Sequence, residues 1–416
     1  MATSRNIFVY IDWMGLKEPL FMGTLTSSIV RGKEIFSFDS DKRWLAHNQF
    51  RILDPEMGKF AGAQYLRDEK VNFGLFLDSS PDRWGRMLIK RRETMMAQEQ
   101  GRKPEPLYEA DYLLGVYDGN RMGALRFKTD PNGAFMDNNR DFATPPWTSI
   151  RDLEYASLQL ERSDTHEYVK WLRMLVAPGS SLGGARPKAN ILDNKGHLWI
   201  AKFPSNVDTI DVGAWEMVVA IMAKNCGITV AESKAQKFGS KHHTFLSKRF
   251  DRTAAGERIH FASAMTMLGL TDGADSSTGA SYLALAEFIT VQGADVDKNL
   301  EELWRRIVFN IAVSNCDDHL RNHGFLLTKR GWVLSPAYDV NPDEYGTRLT
   351  LNISEENNAL DFDLAMSVAP YFRLSKESAA SILSQVKKAV SDWRTIATTY
   401  GISKTEQGFM ESVFCK

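Results

Sequence analysis

The first third of the chain consists of short, mainly apolar segments separated by turn residues. The stretches NIFVYIDW, PLFMGTLTSS and GKEIFSFD are rich in β-branched and aromatic residues, and Gly23 and Gly32 interrupt them. Short segments of this composition, broken by glycine, predict a small β-sheet. The period changes in FLDSSPDRWGRMLIKRRETMMAQEQ, where an acid or a serine can cap a helix, Pro81 suits its first turn, and a face of Trp, Met and Leu follows. We expect a small sheet followed by an amphipathic helix.

The middle of the chain predicts strands on either side of one helix. A Gly/Ser loop leads into KANIL, the turn DNKG and HLWIAKF, which is the pattern of a hairpin. The stretch DVGAWEMVVAIMAKNCGI places Trp215, Val219 and Met222 on one side of a helix, and Gly227 is its stop signal. Two more strand-like segments follow, ITVAESKAQKF and HHTFLSKRF. From Ile259 onward the pattern is mainly helical.

These elements predict an α+β fold in three segments. A chain of 416 residues is long for one simple core. Residues 128–148 are rich in Pro, Asn, Asp and Gly without a sustained period, as in a linker or a long surface loop. We expect an N-terminal β-rich module at 1–128, a nucleotide-binding lobe with a glycine-rich loop at 129–254, and a helical lobe at 255–416. A β-rich lobe that precedes a helical lobe with acidic residues is the bilobal order of a phosphotransferase.

Composition narrows the class of protein and its surroundings. Lys and Arg number 51 against 52 Asp and Glu, so the formal net charge is -1 and no global basic excess draws the chain to nucleic acid or to a membrane. The three cysteines are widely spaced and form neither a zinc pattern nor a disulfide framework, which favours a reducing cytoplasm. The N-terminal apolar run breaks early, and no apolar stretch reaches the ~18 residues of a spanning helix. We expect a cytoplasmic globular protein without a membrane partner.

One acidic cluster lies between apolar segments in NIAVSNCDDHLRNHGFLL. Asp317 and Asn322 stand at the separation of the catalytic Asp and the metal-binding Asn of protein kinases, and Asp339 follows on the next strand-like segment. Oxygen ligands of this type suit Mg²⁺. The His-Arg pair that precedes the acid in H-R-D is absent. The constellation predicts phosphoryl transfer, in which an acid orients the acceptor hydroxyl and metal ligands help to neutralise the phosphates.

Two other interpretations of this segment stay open. In the first, Asp317 and Asp318 cap a helix that contains His319 and His323, with Asn322 completing a turn, because capping acids are common. In the second, His319 and His323 bind a metal from adjacent turns of that helix. No Glu general base accompanies them as in H-E-x-x-H, so zinc is disfavoured.

The glycine-rich loop GSSLGGARPK is a candidate phosphate-binding segment. The backbone of Gly179, Gly183 and Gly184 could approach phosphates closely, because these residues lack side chains. Ala185 follows Gly184 where a Walker A loop has Lys and then Ser or Thr, which excludes that motif. Taken alone, a loop of this composition is more often a simple turn.

Lys202 and Glu216 form a second candidate for nucleotide binding. Lys202 has apolar neighbours in the strand-like LWIAKF, so its side chain could point into a cleft, contact nucleotide phosphates and pair with Glu216 on the following helix. The alternative is a Lys that extends from an edge strand to solvent, together with an ordinary surface Glu.

Several motifs taken together resemble those of a known family. The stretches SSLGGARPKA, IAKF, KRFDR, SNCDDHLRNHGFLL and LSPAYDV resemble the HipA-like serine/threonine kinases, which are the toxin components of bacterial toxin–antitoxin pairs. The stretches GTL, FSFD and PDRWGRMLIKR are similar to the N-terminal module of that family. The resemblance covers most of the chain. It implies a bilobal kinase fold related to the phosphatidylinositol kinases, with ATP and Mg²⁺ as cofactors.

The resemblance also implies roles for individual residues. Asp317 matches the catalytic acid, and Asn322 and Asp339 match the Mg²⁺ ligands. Ser181 matches the loop serine that family members autophosphorylate to silence the kinase, and Ser180 beside it is an alternative. The residues expected around ATP are Gly183, Gly184, Ala185, Arg186, Pro187 and Lys188 of the phosphate loop, Lys202, Glu216, the hinge residues Lys248, Arg249 and Phe250, and His319, Asn322, Tyr338 and Asp339.

The implied function is that of an ATP- and Mg²⁺-dependent protein serine/threonine kinase, a toxin that restrains growth. Its substrate would be a cellular protein, such as an aminoacyl-tRNA synthetase of the translation machinery. Autophosphorylation or a helix-turn-helix antitoxin would inactivate it, and any DNA contact would come through that antitoxin. Asp318 stands where the family prototype has a small residue. The alternatives are a small-molecule kinase of related fold and a non-catalytic nucleotide-binding co-repressor.

Overall fold

The computed structural model describes residues 3–48, 50–67, 70–139, 143–162, 171–172, 174–175 and 184–414. By their internal contacts these residues divide into two compact units. The first unit is Met1–Asn206 with Asp251–Ala262, and the second is Val207–Phe250 with Ser263–Lys416. The three segments expected from the sequence stay a prediction.

The first unit contains, among its described residues, a five-stranded antiparallel sheet. Its strands are β1 (Thr3–Ile11), β2 (Leu20–Val30), β3 (Lys33–Ser40), β4 (Ala63–Tyr65) and β5 (Leu125–Lys128). They lie in the order β4-β3-β2-β1-β5. Ile7, Val9 and Ile11 alternate along β1 and are fully buried, which is the pattern of a strand with one face in a core. Gly23 of β2 is required by close approach, because a Cβ there would lie 2.3 Å from the carbonyl oxygen of Asp39.

The helices of this unit include the one predicted after the sheet. They are α1 (Lys42–Leu45), α2 (Gly74–Leu77), α3 (Arg83–Glu99), α4 (Glu109–Leu114) and α5 (Ile150–Arg162). Helix α3 begins at Arg83, and Asp82 is its N-cap, with Oδ1 accepting a hydrogen bond of 2.7 Å from the backbone N–H of Gly85. The expectation that Pro81 lies in the first turn was therefore wrong, because the capping carboxylate comes one residue after Pro81.

The hairpin predicted after the glycine-rich loop is also present in the first unit. Strands β6 (Lys188–Leu192) and β7 (Leu198–Lys202) pair antiparallel, with Lys188 opposite Lys202. Gly196 has a φ of 79° in the turn between them, a backbone conformation that favours glycine.

The second unit is mainly helical. Strands β8 (Ser233–Gln236) and β9 (Thr244–Lys248) form one antiparallel pair. Strand β10 (Phe261–Ser263) lies where the chain passes from the first unit to the second, and β11 (Gly324–Thr328) and β12 (Gly331–Leu334) form another antiparallel pair. The helices are α6 (Val212–Asn225), α7 (Ala264–Met267), α8 (Tyr282–Gln292), α9 (Val296–Ala312), α10 (Phe362–Val368), α11 (Lys376–Ser391), α12 (Trp393–Thr399), α13 (Lys404–Phe409) and α14 (Glu411–Phe414).

Helix α9 is the central element of this unit. It packs against α8, α10 and α11, and the side chains of Leu300, Leu303, Trp304 and Ile307 are fully buried. Burying an aliphatic side chain of this size contributes about 2 kcal/mol. The helix therefore provides a rigid base for the acidic segment that follows its last residue, Ala312. No helix in the described ranges is both long and apolar enough to cross a membrane.

Candidate functional site

The acidic segment after α9 is a series of turns that leads into β11. Asp317, Asp318 and His319 are not in a helix, and neither is His323. The backbone N–H of His319 donates to the carbonyl oxygen of Asp317 over 3.0 Å, and the backbone N–H of Asn322 donates to that of His319 over 2.8 Å. The interpretation of a capped helix with two histidines on adjacent turns was therefore wrong. Within the described ranges, no group of three or more His, Cys, Asp or Glu side chains is arranged to hold a metal ion.

Asn322 is oriented by the loop that it closes. Its Nδ2 donates to the carbonyl oxygen of Asp317 over 2.8 Å. Its Oδ1 is buried and has no hydrogen-bond partner among the described residues. A buried amide oxygen without a donor is unusual in a folded protein and is a suitable ligand for a hard cation.

Asp318 lies at the centre of a buried network beneath this loop. Its Oδ2 accepts hydrogen bonds from Tyr282 Oη at 2.5 Å, Asn310 Nδ2 at 2.7 Å and His323 Nε2 at 2.7 Å. Burial works to raise the pKa of Asp318, but His323 and the hydrogen bonds from His323 and Tyr282 outweigh it, so this pKa lies below its ordinary value. Burial, together with the charge of Asp318, holds the pKa of Tyr282 well above its ordinary value. The network joins α8, α9 and the residue just before β11 to the loop that carries Asp317.

A second loop, after β12, brings Asp339 to the same part of the unit. The backbone N–H of Ala337 donates to the carbonyl oxygen of Thr229 over 2.7 Å, and Tyr338 Oη donates to the carbonyl oxygen of Arg321 over 2.7 Å. Asp339 has a φ of 56°, in the left-handed region that few residues other than glycine adopt. Strained backbone of this kind is frequent at functional sites.

Asn341 connects the two loops. Its backbone N–H donates to Asn315 Oδ1 over 3.3 Å, and its Nδ2 donates to Asp339 Oδ1 over 3.2 Å. Its own Oδ1 is buried without a hydrogen-bond partner among the described residues. Sequence analysis missed Asn341, although an Asn two residues after Asp339 was a visible signal.

The acids near Asp317 affect its pKa. Burial raises its pKa above the ordinary value; His319 works to lower it, while Asp339, Asp318 and Asp343 raise it further. Like charges at this range repel, and a bound cation relieves the repulsion. Two carboxylates and an unpartnered amide oxygen, contributed by Asp317, Asp339 and Asn322, fit the oxygen chemistry of Mg²⁺.

Two residues expected to border the nucleotide lie together in the second unit. The rings of Phe250 and Tyr338 have centroids 5.4 Å apart. Lys248, at the end of β9, has its ammonium 3.4 Å from Glu232 Oε2. Arg249 is buried. His319 Nδ1 accepts from the backbone N–H of Arg321 over 3.3 Å.

Glu216 is held within a strongly anchored helix. It is 4% exposed, which excludes the alternative of an ordinary surface Glu. Asp211 caps α6, with Oδ1 accepting from the backbone N–H of Ala214 at 3.2 Å and of His243 at 2.8 Å. Trp215, beside Glu216, donates through Nε1 to Glu406 Oε1 over 2.8 Å.

The remaining candidates belong to the first unit. Lys202 is the last residue of β7 and is half-buried. Residues 184–187 lead into β6, and Lys188 begins that strand with its side chain buried. Gly179, Ser180, Ser181 and Gly183 lie outside the described residues.

A family model for the HipA-like C-terminal domain matches residues 180–393, just over half of the chain. The chain belongs to the HipA-like C-terminal domain family. The resemblance predicted from the glycine-rich loop and the N-x-D-x-H-x-x-N and Y-D motifs is confirmed.

Two curated relatives match parts of this HipA-like chain. A Haemophilus influenzae protein described as "Putative kinase" is 27% identical over 179 residues, which cover 39% of this chain and 52% of the relative. A Sinorhizobium fredii protein described as "Putative kinase Y4dM" is 26% identical over 207 residues, or 47% of either chain. The HipA-like chain thus spans about half the length of the curated relatives it matches.

One solved structure shares the fold over nearly the whole length. It is the Shewanella oneidensis MR-1 toxin–antitoxin complex of HipA, HipB and operator DNA, which matches with a TM-score of 0.68 and 18% identity. The match covers 98% of this chain and 95% of that one. The expected mixed α and β architecture is therefore confirmed, and the structure adds that its paired strands are antiparallel.

Proposed function

We propose that this HipA-like chain is an ATP- and Mg²⁺-dependent kinase that phosphorylates serine or threonine on a cellular protein. The observation that carries the proposal is the pair of loops in the second unit, which presents Asp317, Asp339 and the unpartnered oxygen of Asn322 in one electrostatic environment. The descriptions of the two curated relatives as kinases support it. We further propose that this fold is related to the fold of the phosphatidylinositol kinases.

In this proposal Asp317 orients the acceptor hydroxyl and receives its proton. The carbonyl oxygen of Asp317 accepts hydrogen bonds from Asn322 and His319, which hold the backbone that carries its carboxylate. Asn322 and Asp339 hold Mg²⁺, which when bound neutralises charge on the phosphates. Asp318 takes no part in proton transfer, because its carboxylate is already engaged by three donors.

We propose that aromatic and charged side chains bind the nucleotide. Phe250 and Tyr338 supply aromatic surface for the base, and Lys248, Arg249 and His319 are further proposed contacts. Lys202 and the loop around Gly184 are proposed to meet the phosphates, and Glu216 is also a proposed nucleotide-site residue.

Regulation and partners follow from the family relation. The solved Shewanella HipA was determined with HipB and operator DNA. We therefore propose a helix-turn-helix antitoxin as the partner of this chain, DNA contact through that antitoxin, and a toxin that acts in the cytoplasm on a protein such as an aminoacyl-tRNA synthetase. Autophosphorylation of Ser181, with Ser180 as the alternative, would silence it.

Transfer of labelled phosphate tests the proposal. Asp317→Ala should lower transfer by about 10²- to 10⁴-fold, the usual contribution of a general base. Glu356→Ala, an exposed acid of the same unit, should keep the wild-type rate. An Asp317→Ala rate equal to wild type would remove Asp317 from its proposed role.

The acceptor of the label distinguishes the alternatives. Label on protein supports the protein kinase, and label on small hydroxyl compounds alone supports a small-molecule kinase. Nucleotide binding by the wild type without any transfer supports the co-repressor. Phosphopeptide mapping then assigns the modified serine to position 181 or 180.

A further inference from the structure

A buried ion pair in the first unit joins the start of α3 to the strand that follows the glycine-rich loop. Lys188 Nζ lies 3.0 Å from Asp82 Oδ2, and both side chains are 2% exposed. The same ammonium donates to the carbonyl oxygen of Gly184 over 3.3 Å. A single lysine therefore connects α3 to the last part of the glycine-rich loop.

The first turn of α3 holds Lys188 at two points. Asp82 uses one carboxylate oxygen to cap the helix through Gly85 and the other to bind the ammonium of Lys188. Trp84 is buried and donates through Nε1 to the carbonyl oxygen of Lys188 over 2.9 Å. Side chain and backbone of Lys188 are thus both fixed by residues within one helical turn.

This environment does not suit a phosphate ligand. A charged group withdrawn from water needs a close counter-charge, and Asp82 already supplies it. With 2% of its side chain exposed, Lys188 could reach a phosphate only by leaving Asp82. Gly184 has a φ of 81°, so its backbone is in a conformation that favours glycine, directly above the ammonium that it contacts.

We propose that Asp82 is a positioning residue for the nucleotide loop. Asp82 fixes Lys188, and Lys188 fixes the carbonyl of Gly184, so Lys188 acts on the nucleotide through the loop backbone and is not itself a phosphate ligand. Only the nucleotide readout of this proposal rests on the proposed kinase function. The anchoring of the loop can be measured without any nucleotide.

Hydrogen–deuterium exchange on the full chain tests the anchoring. Asp82→Asn keeps a capping oxygen but removes the counter-charge, and Lys188→Met removes the ammonium. Each should speed amide exchange in peptides covering residues 184–192 by about tenfold, and the double variant should add little, because both changes break the same contact. Glu93→Gln is the matched control, since it removes a carboxylate on the same helix that pairs with Arg102.

Two exchange results would overturn the anchoring. One is an amide exchange rate in residues 184–192 that stays at the wild-type value in Asp82→Asn or in Lys188→Met. The other is an equal increase in Glu93→Gln, which would mean a general loosening of α3. If either single variant fails to fold, as judged by circular dichroism, the other single variant carries the comparison with Glu93→Gln.

Affinity for Mg²⁺·ADP and the KM for ATP test the link to the nucleotide. Asp82→Asn, Lys188→Met and the double variant should weaken binding by similar factors and raise KM more than they lower kcat. A Lys188→Met loss far larger than that of Asp82→Asn, with the two effects multiplying in the double variant, would show direct phosphate contact and overturn the proposal. A wild-type chain that binds no nucleotide would overturn the kinase function instead, and the exchange result would still decide whether Asp82 anchors Lys188.

Discussion

At the scale of single residues, Asp318 is explained by the buried polar groups around it. Asp318 is 3% exposed and accepts three hydrogen bonds. Tyr282 of α8, Asn310 of α9 and His323, just before β11, are the donors, so the side chain of Asp318 is matched by polar partners. A buried carboxylate oxygen with three donors holds its surroundings in one arrangement.

Asp318→Ala should destabilise the protein and reduce phosphate transfer. Three buried donors lose their acceptor, and each unsatisfied group costs about 1–3 kcal/mol. We expect the free energy of unfolding in urea to fall by about 3 kcal/mol or more. Tyr282→Phe removes one donor only and should cost about 1 kcal/mol. A smaller loss in Asp318→Ala than in Tyr282→Phe would contradict the central role of Asp318.

At the scale of elements, the N-cap of helix α6 positions Glu216, a candidate nucleotide-binding residue. This N-cap, Asp211, binds the backbone of Ala214 and both the backbone and ring of His243. Burial works to raise the pKa of Asp211, but the hydrogen bonds from His243 lower it below the ordinary value, so the carboxylate stays charged at neutral pH. The cap sets the start of the helix that carries Glu216.

Asp211→Ala should lower both stability and transfer. Loss of an N-cap costs about 1 kcal/mol, and the lost contacts of His243 add to it. Ser375→Ala is the matched control, because Ser375 caps α11 through the backbone of Ser378 at an exposed site. Thermal unfolding and labelled-phosphate transfer should show both variants destabilised but only Asp211→Ala slowed. Equal transfer in the two variants would argue against a role of α6 in the reaction.

At the scale of the whole molecule, the change in unfolding free energy with pH depends on buried titratable groups. Burial lowers the pKa of His260 to about 3. In the unfolded chain His260 has its ordinary pKa of about 6.5, so below that pH the unfolded chain binds a proton that the folded chain does not. The free energy of unfolding therefore decreases as the pH falls from about 6.5 toward about 3.

His260→Gln should remove this part of the acid sensitivity. Between pH 7 and pH 5 the wild type should lose about 2 kcal/mol more unfolding free energy than the variant, because each pH unit below 6.5 contributes about 1.4 kcal/mol. Urea unfolding at the two pH values measures the difference. Parallel losses in both proteins would mean that His260 is protonated in the folded state.

Much of the fold was predictable because its signals are local. The β-branched and aromatic residues of NIFVYIDW indicated β1, and the turn DNKG indicated the β6–β7 hairpin. The N-terminal boundary of α3 was misjudged, because several Asp and Ser residues before it are equally good caps in sequence and only packing selects Asp82.

By itself, the sequence determined the family and the mixed α and β architecture, because motif spacing and periodicity are properties of the linear chain; the roles of Asp317 and Asp339 stay predictions. The tertiary structure alone decided three further features. It buried Lys188 against Asp82, surrounded Asp318 with donors from two helices and a turn, and left the oxygens of Asn322 and Asn341 without partners in the described residues. Lys188 and Asp82 are 106 positions apart in the chain, and the burial of all these groups comes from packing that no local pattern encodes.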